Sequence, residues 1–224
     1  MNHKTLLAMQ TRTLLFVSII VFLLSGCMND RIEVELKYYS TEEYNVLKAA
    51  LDLPVEPDQY NFPLPHGAFT TPVSNAKATL GRVLFYDTKL SRNNTVSCAS
   101  CHKQELAFSD DKAQSIGFEG AHTKRNSLPL AASANFEASY NTGNSFAGNS
   151  LRLGFLWDER AKSIRELSAM ATTDPVEMGM AMSNLPSKLS QESYYRVLFG
   201  KAYGNDQITA DRITDALQEF LNSF

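Results

Sequence analysis

Cysteine is scarce in this chain, with three in 224 residues at positions 27, 98 and 101. So few thiols exclude a disulfide scaffold. Positive charge is not concentrated either: Lys and Arg total 21 against 24 Asp and Glu, net charge is −3, and the basic residues are scattered. Nothing forms the basic stripe that nucleic acid requires, so nucleic acid is not expected as a partner. Alternating apolar and polar runs are missing, as are internal repeats and low-complexity tracts, which leaves no strand pattern to build a sheet from. The most apolar run, from Leu14 to Leu24, is too short to span a bilayer comfortably.

That run does fit a targeting segment. Lys4 and Arg12 precede it, and Leu24-Ser25-Gly26-Cys27 follows. The tetrad resembles a bacterial lipobox, so residues 1–26 read as a lipoprotein signal peptide and Cys27 as the lipid attachment site. Met28 rather than Asp follows the Cys, which by analogy favours the outer membrane and places the protein on the periplasmic face, anchored by lipid. Residues 27–40 read as a polar tether, and 41–224 as the folded domain.

A hydrophobic content of 44% supplies a core for one domain of ordinary size. Thr41 is expected to cap a first helix through Tyr44, Leu47 and Leu51, closed by Pro54 and Pro57, with a proline-rich loop from Val55 to Thr71. Asn75 opens a helix carrying Leu80, Val83, Leu84 and Phe85 and stopping near Asp87. Lys103 to Gly154 lacks sustained periodicity and reads as a long loop. Asp158 is expected to cap a helix with Ile164, Leu167 and Met170. Ser183 or Asn184 starts another that ends near Gly200, and Thr209 caps a last one through Ile213, Leu217, Phe220 and Leu221. The fold class is all-α.

Cys98-Ala99-Ser100-Cys101-His102 is the C-x-x-C-H pattern of c-type haem attachment. One helical turn places both thiols beneath the two vinyl groups, and the next residue points its imidazole at the iron. With three Cys and four His in the chain, the pattern arises by chance about 0.0007 times per chain of this length. A thioredoxin-like pair would require a βαβ context and a zinc site a second ligand pair, and the sequence has neither. One haem c is therefore expected, held by Cys98, Cys101 and His102, with His102 on the iron. Long loops after the motif can wrap that macrocycle.

Several motifs in order then resemble a known family. They are Leu80-Gly81-Arg82-Val83-Leu84-Phe85-Tyr86-Asp87, Leu90-Ser91, the haem motif from Ser97, Ala107-Phe108-Ser109-Asp110, Arg125-Asn126-Ser127-Leu128-Pro129, Leu156-Trp157-Asp158-Glu159-Arg160 and Glu177-Met178-Gly179. From about residue 75 to the end the chain is similar to the N-terminal, peroxidatic haem domain of bacterial di-haem cytochrome c peroxidases, a family that includes MauG. The resemblance implies a cytochrome c-like helical domain. It also implies hydrogen peroxide as substrate, a small electron-donor protein as partner, and a second haem domain. One C-x-x-C-H motif and an end at Phe224 lead to the expectation that the second domain is absent from this chain, or supplied by a second one.

Carried over by resemblance, Trp157 relays electrons between haems, Glu177 moves a proton between the peroxide oxygens, and Asn126 ligates a calcium ion. Phe118 stands where many members have a His that blocks the iron, so the resemblance implies an open site. His122 nearby could substitute or be solvated, and His66 reads as structural. Leu167 and Ala171 replace a Gln and a Pro often found near the distal pocket. A MauG-like oxidising enzyme remains an alternative. So does a mono-haem electron-transfer cytochrome c with Met170, Met178, Met180 or Met182 as sixth ligand.

Overall fold

A computed structural model describes residues 73–131, 133 and 154–223, together with Val46. The expected signal, tether and proline-rich loop, with Cys27 and His66, lie outside the described residues, as does the first helix apart from Val46, which is helical. Among the described residues the fold is helical, and its only strand-like pairings are three isolated bridges. We label the helices α1 (Asn75–Tyr86), α2 (Cys98–Cys101), α3 (Ile164–Thr173), α4 (Leu185–Leu189), α5 (Ser193–Tyr203) and α6 (Ala210–Leu221).

The sequence places two of these elements closely. Ser74 caps α1, with its side chain accepting from the Lys77 N–H, and the helix ends at Asp87. Thr209 caps α6 by accepting from the Arg212 N–H at 3.2 Å. Helix α6 buries Ile213, Ala216, Leu217, Phe220 and Leu221, one stripe at three-to-four spacing, against α1, α3 and neighbouring elements.

Two expectations need correction. Ser163, not Asp158, caps α3, because its hydroxyl accepts from the Glu166 N–H at 3.1 Å, whereas Asp158 is engaged by Arg160 at 2.6 Å in the preceding turn. The single helix expected from Ser183 or Asn184 to Gly200 is two. Pro186 stands in the first turn of α4, where it is well tolerated; after Ser190 the Gln191 and Glu192 N–H groups donate to carbonyls three residues back, and extended backbone at Glu192 separates α4 from α5. Buried Leu185 and Leu189 hold α4 in the core, and Lys188 Nζ reaches the Ser91 carbonyl at 2.6 Å.

Helices α1 and α6 cross at nearly bare backbone. A Cβ on Gly81 would lie 1.9 Å from the Ala216 carbonyl oxygen. Around that crossing, Phe85 packs on Phe220 (5.2 Å between ring centroids) and on Phe108 (5.8 Å), and Phe108 packs on Phe220 at 6.3 Å. This triangle ties the loop that follows α2 to the core. At the far end of α1, the Asp87 carboxylate accepts from the hydroxyls of Tyr194 and Tyr195, each at 2.8 Å, joining α5.

Gly81→Ala should therefore cost about 3 kcal/mol, because the obstructing atom is backbone and cannot rotate away. The thermal midpoint should fall by roughly 6–12 °C for a domain of this size. An unchanged midpoint by differential scanning calorimetry would refute so close a crossing.

Candidate functional site

Helix α2 is a single turn held at both ends. The Ser97 N–H donates to Ser100 Oγ at 3.0 Å, and the His102 N–H donates to the Cys98 carbonyl at 2.9 Å. Ahead of it, buried Ser91 organises the loop, its hydroxyl accepting from the N–H groups of Thr95 and Val96 at 3.2 and 3.3 Å. Cys98 and Cys101 thus sit one turn apart, both half-buried and unpaired. Burial pushes the Cys98 thiol up to about 12 and raises Cys101 as well. Thiols held protonated suit neither a disulfide oxidoreductase nor a thiolate metal cluster. Among the described residues, moreover, no group of three His, Cys, Asp or Glu could hold a metal ion.

His102 Nδ1 lies 2.8 Å from the Phe108 carbonyl oxygen. A carbonyl can only accept, so Nδ1 carries the proton and Nε2 keeps its lone pair. Burial lowers the His102 pKa, against the opposing influence of the Phe108 and Leu128 carbonyls, which keeps the ring neutral. Two thiols one turn apart and a neutral imidazole whose second nitrogen is fixed by a carbonyl are the donor set that a covalent haem needs. The residues present fit that group.

Glu177 lies in the turn after α3. Burial, then the neighbouring Asp174, push its carboxyl up to about 7, with Arg160 opposing. Its charge acts on both Cys98 and Cys101, which puts it on the cysteine pair's side of the site. The turn is clamped from several directions. Asp174 Oδ1 accepts from the N–H groups of Val176 and Glu177 at 2.8 and 3.2 Å. The Phe118 N–H donates to the Glu177 carbonyl at 3.1 Å. Arg92 donates through its backbone N–H to the Met178 carbonyl and through Nε to the Gly179 carbonyl, both at 2.9 Å.

Phe118 itself is buried, with the Arg92 guanidinium 5.5 Å from its ring centroid. Its ring packs on Gly179, where φ is +62° and a Cβ would come within 2.4 Å of the ring. Only glycine satisfies both conditions there. The phenyl at this position therefore has a packing role as well as lacking a ligand atom. His122 is exposed. Met178 and Met180 are in the core, while Met170 and Met182 are half-buried.

Trp157 is 52% exposed, and its Nε1–H donates to the Asn126 carbonyl at 3.1 Å. Those two predicted residues are brought together, although through the backbone of Asn126. The same corner carries the Asp158–Arg160 pair at 2.6 Å, and Arg160 is the cation felt by Glu177. The sequence assigns no task to Phe108, whose carbonyl sets the His102 ring, or to Arg92, which holds the Glu177 turn. Nor does it assign a task to Asp110, though that residue falls in a family-like motif, or to Ser115; the Asp110 side chain and Ser115 are buried beside Cys101. A buried polar group in a loop rich in Ser and Asp is the available signal, but burial cannot be read from such a loop.

A family model for di-haem cytochrome c peroxidase matches residues 75–224. The chain is 32% identical over 164 residues to a methylamine utilization protein MauG of Methylophilus methylotrophus, covering 73% of this chain and 43% of that one. It is 31% identical over 150 residues to a cytochrome c551 peroxidase of Nitrosomonas europaea, covering 67% and 40% respectively. The crystal structure of a MauG-like protein associated with microbial copper homeostasis matches with a TM-score of 0.54 and 29% identity, over 77% of this chain and 45% of that one. The chain thus spans about two fifths of the length of the curated relatives it matches. From Asn75 onward, the site and these likenesses agree: the chain belongs to the di-haem cytochrome c peroxidase family.

Proposed function

We propose that the chain carries one covalent haem c on Cys98 and Cys101, ligated by His102, and uses it to reduce hydrogen peroxide. The observation that carries this reading is Glu177, a half-buried carboxyl with a pKa near neutrality whose charge acts on the paired cysteines. The haem supplies the iron and the electrons for peroxide chemistry. The chain's own residues do the rest. His102 would hold the iron through Nε2, with its ring oriented by the Phe108 carbonyl. Glu177 takes a proton from one peroxide oxygen and returns it to the departing one. Glu177 is near neutrality because it is desolvated, and a group of pKa close to the working pH transfers protons in both directions efficiently.

Electrons arrive through Trp157, whose exposed indole faces outward, from a small cytochrome-type donor protein through a second haem domain or chain. Asn126, beside Trp157, is the proposed calcium ligand. Cys27 anchors the domain by lipid to the periplasmic face of the outer membrane. No helix among the described residues is long and apolar enough to cross a membrane. A second reading, MauG-like oxidation of a substrate, is supported by the relatives named MauG, and Phe118, with no atom to block the iron, is compatible with both readings.

The purified ferric protein should give a high-spin spectrum that changes on adding peroxide. A low-spin His/Met spectrum would replace this reading with electron transfer. Glu177→Gln should slow the reaction with peroxide by about 10²- to 10⁴-fold at unchanged haem content. Because ionised Glu177 is the form that accepts the first proton, the rate for the unaltered protein should fall as pH drops through about 7. Stopped-flow measurements across that range check both points, and a variant that keeps the same rate and inflection removes Glu177 from the mechanism.

A further inference from the structure

The loop after α2 buries a second carboxylate that the chemistry above does not use. The side chain of Asp110 is 3% exposed. Its Oδ2 accepts from Ser115 Oγ at 2.7 Å, and its Oδ1 accepts from the Asp111 N–H at 2.8 Å and lies 3.0 Å from Lys103 Nζ. Ser115 is itself buried, with Oγ 3.0 Å from Ser127 Oγ and its N–H donating to Thr123 Oγ1 at 3.0 Å. Lys103 also pairs with the exposed Asp111 at 2.6 Å. The antiparallel bridge between Lys103 and Ser109 sets Asp110 in register opposite His102.

We infer that Asp110, held as a carboxylate by Ser115 and Lys103 beside His102 and Cys101, is a positioning residue that lowers the reduction potential of the haem bound there. The inference rests on the haem reading above. Burial would raise the Asp110 carboxyl, but the hydrogen bonds from Ser115 and Lys103 outweigh it and hold the group below the usual carboxylate range. Its charge acts on both His102 and Cys101, and the Ser115 hydroxyl also bonds Cys101. Oxidation leaves the iron centre one charge more positive. A fixed anion in a poorly solvated position therefore favours the oxidised form, and charge and hydrogen bonding around the ligands are among the means by which a protein sets a haem potential.

Lys103 has the opposite effect. Its side chain is 29% exposed, so solvent already screens part of its charge, while the carboxylate it partly neutralises is buried. Removing the anion and removing the cation must then move the potential in opposite directions, which a purely structural role for either residue would not do.

The test is a potentiometric titration of the full haem-loaded chain, with covalent haem quantified by the pyridine haemochrome spectrum. Asp110→Asn should raise the midpoint potential and Lys103→Met should lower it, both at the haem content of the unaltered protein. Shifts of the same sign, or no shift in either variant, overturn the inference while leaving the haem reading intact. If Asp110→Asn does not fold, Lys103→Met decides alone, and a midpoint equal to or above that of the unaltered protein overturns the inference. Absence of covalent haem from the unaltered protein overturns both readings.

Discussion

The hydrogen bond from His102 Nδ1 to the Phe108 carbonyl, 2.8 Å long, is the constraint on which the site depends. It selects the tautomer, and with it the nitrogen available to a metal. Its acceptor is not free to move. Ala107 and Phe108 both have positive φ, at 54° and 58°, a conformation that non-glycine residues rarely adopt. Strain of order 1 kcal/mol or more at each residue persists only where the surroundings over-determine it. Here the Phe108 ring provides that, packed between Phe85 of α1 and Phe220 of α6. The helical core thus reaches the imidazole through one residue, whose ring belongs to the core and whose carbonyl belongs to the site.

Glu177 is held in a different way, and at some cost to the fold. A carboxyl with an ordinary value of 4.5 in the unfolded chain and about 7 in the folded one is destabilising when ionised. Because the folded value is the higher, folding is favoured below pH 4.5, and that advantage is lost as pH rises through about 7. The difference is of the order of 3 kcal/mol, at about 1.4 kcal/mol for each tenfold change in acidity. The contacts around the turn offset it: Asp174 closes the turn, Phe118 and Arg92 hold its carbonyls, and Gly179 lets the Phe118 ring pass beneath. Asp174, which builds the turn, is also the charge that helps raise Glu177, so the same carboxylate both places and tunes the acid. A group set in a rigid, poorly solvated turn is how a protein keeps a carboxyl near neutral pKa.

These two constraints explain what was legible in the sequence. Helices α1 and α6 could be placed because each carries its own stop signals and one apolar stripe: Ser74 to Asp87 in the first, Thr209 to Leu221 in the second. The C-x-x-C-H motif could be read because its chemistry is local to one turn. The break after α4 falls at Glu192, whose backbone is extended although glutamate has no turn preference, and the contact of Lys188 with the Ser91 carbonyl, 97 positions away, is carried by no local pattern. Ser163 caps α3 because the helix begins at Ile164, directly after it, while Asp158 lies in the preceding turn, paired with Arg160. The orienting carbonyl of Phe108 was invisible for a simpler reason: a backbone acceptor has no residue type.

Trp157 shows where the core's authority ends. Large aromatic residues normally contribute to stability by burial, yet this indole is 52% exposed, with its N–H donating to the Asn126 carbonyl. Its corner also holds two non-glycine residues with positive φ, Leu156 at 70° and Glu159 at 56°. The turn is anchored at its two ends, where Phe155 and Ala161 are buried and exchange backbone hydrogen bonds, so packing fixes the strained backbone but not the ring at its tip. In the electron-relay role proposed above for Trp157, this outward ring is the part that a donor or a second haem domain would meet. His102 is thus fixed from the core through Phe108, whereas the Trp157 ring, carried on an anchored turn, is left to solvent.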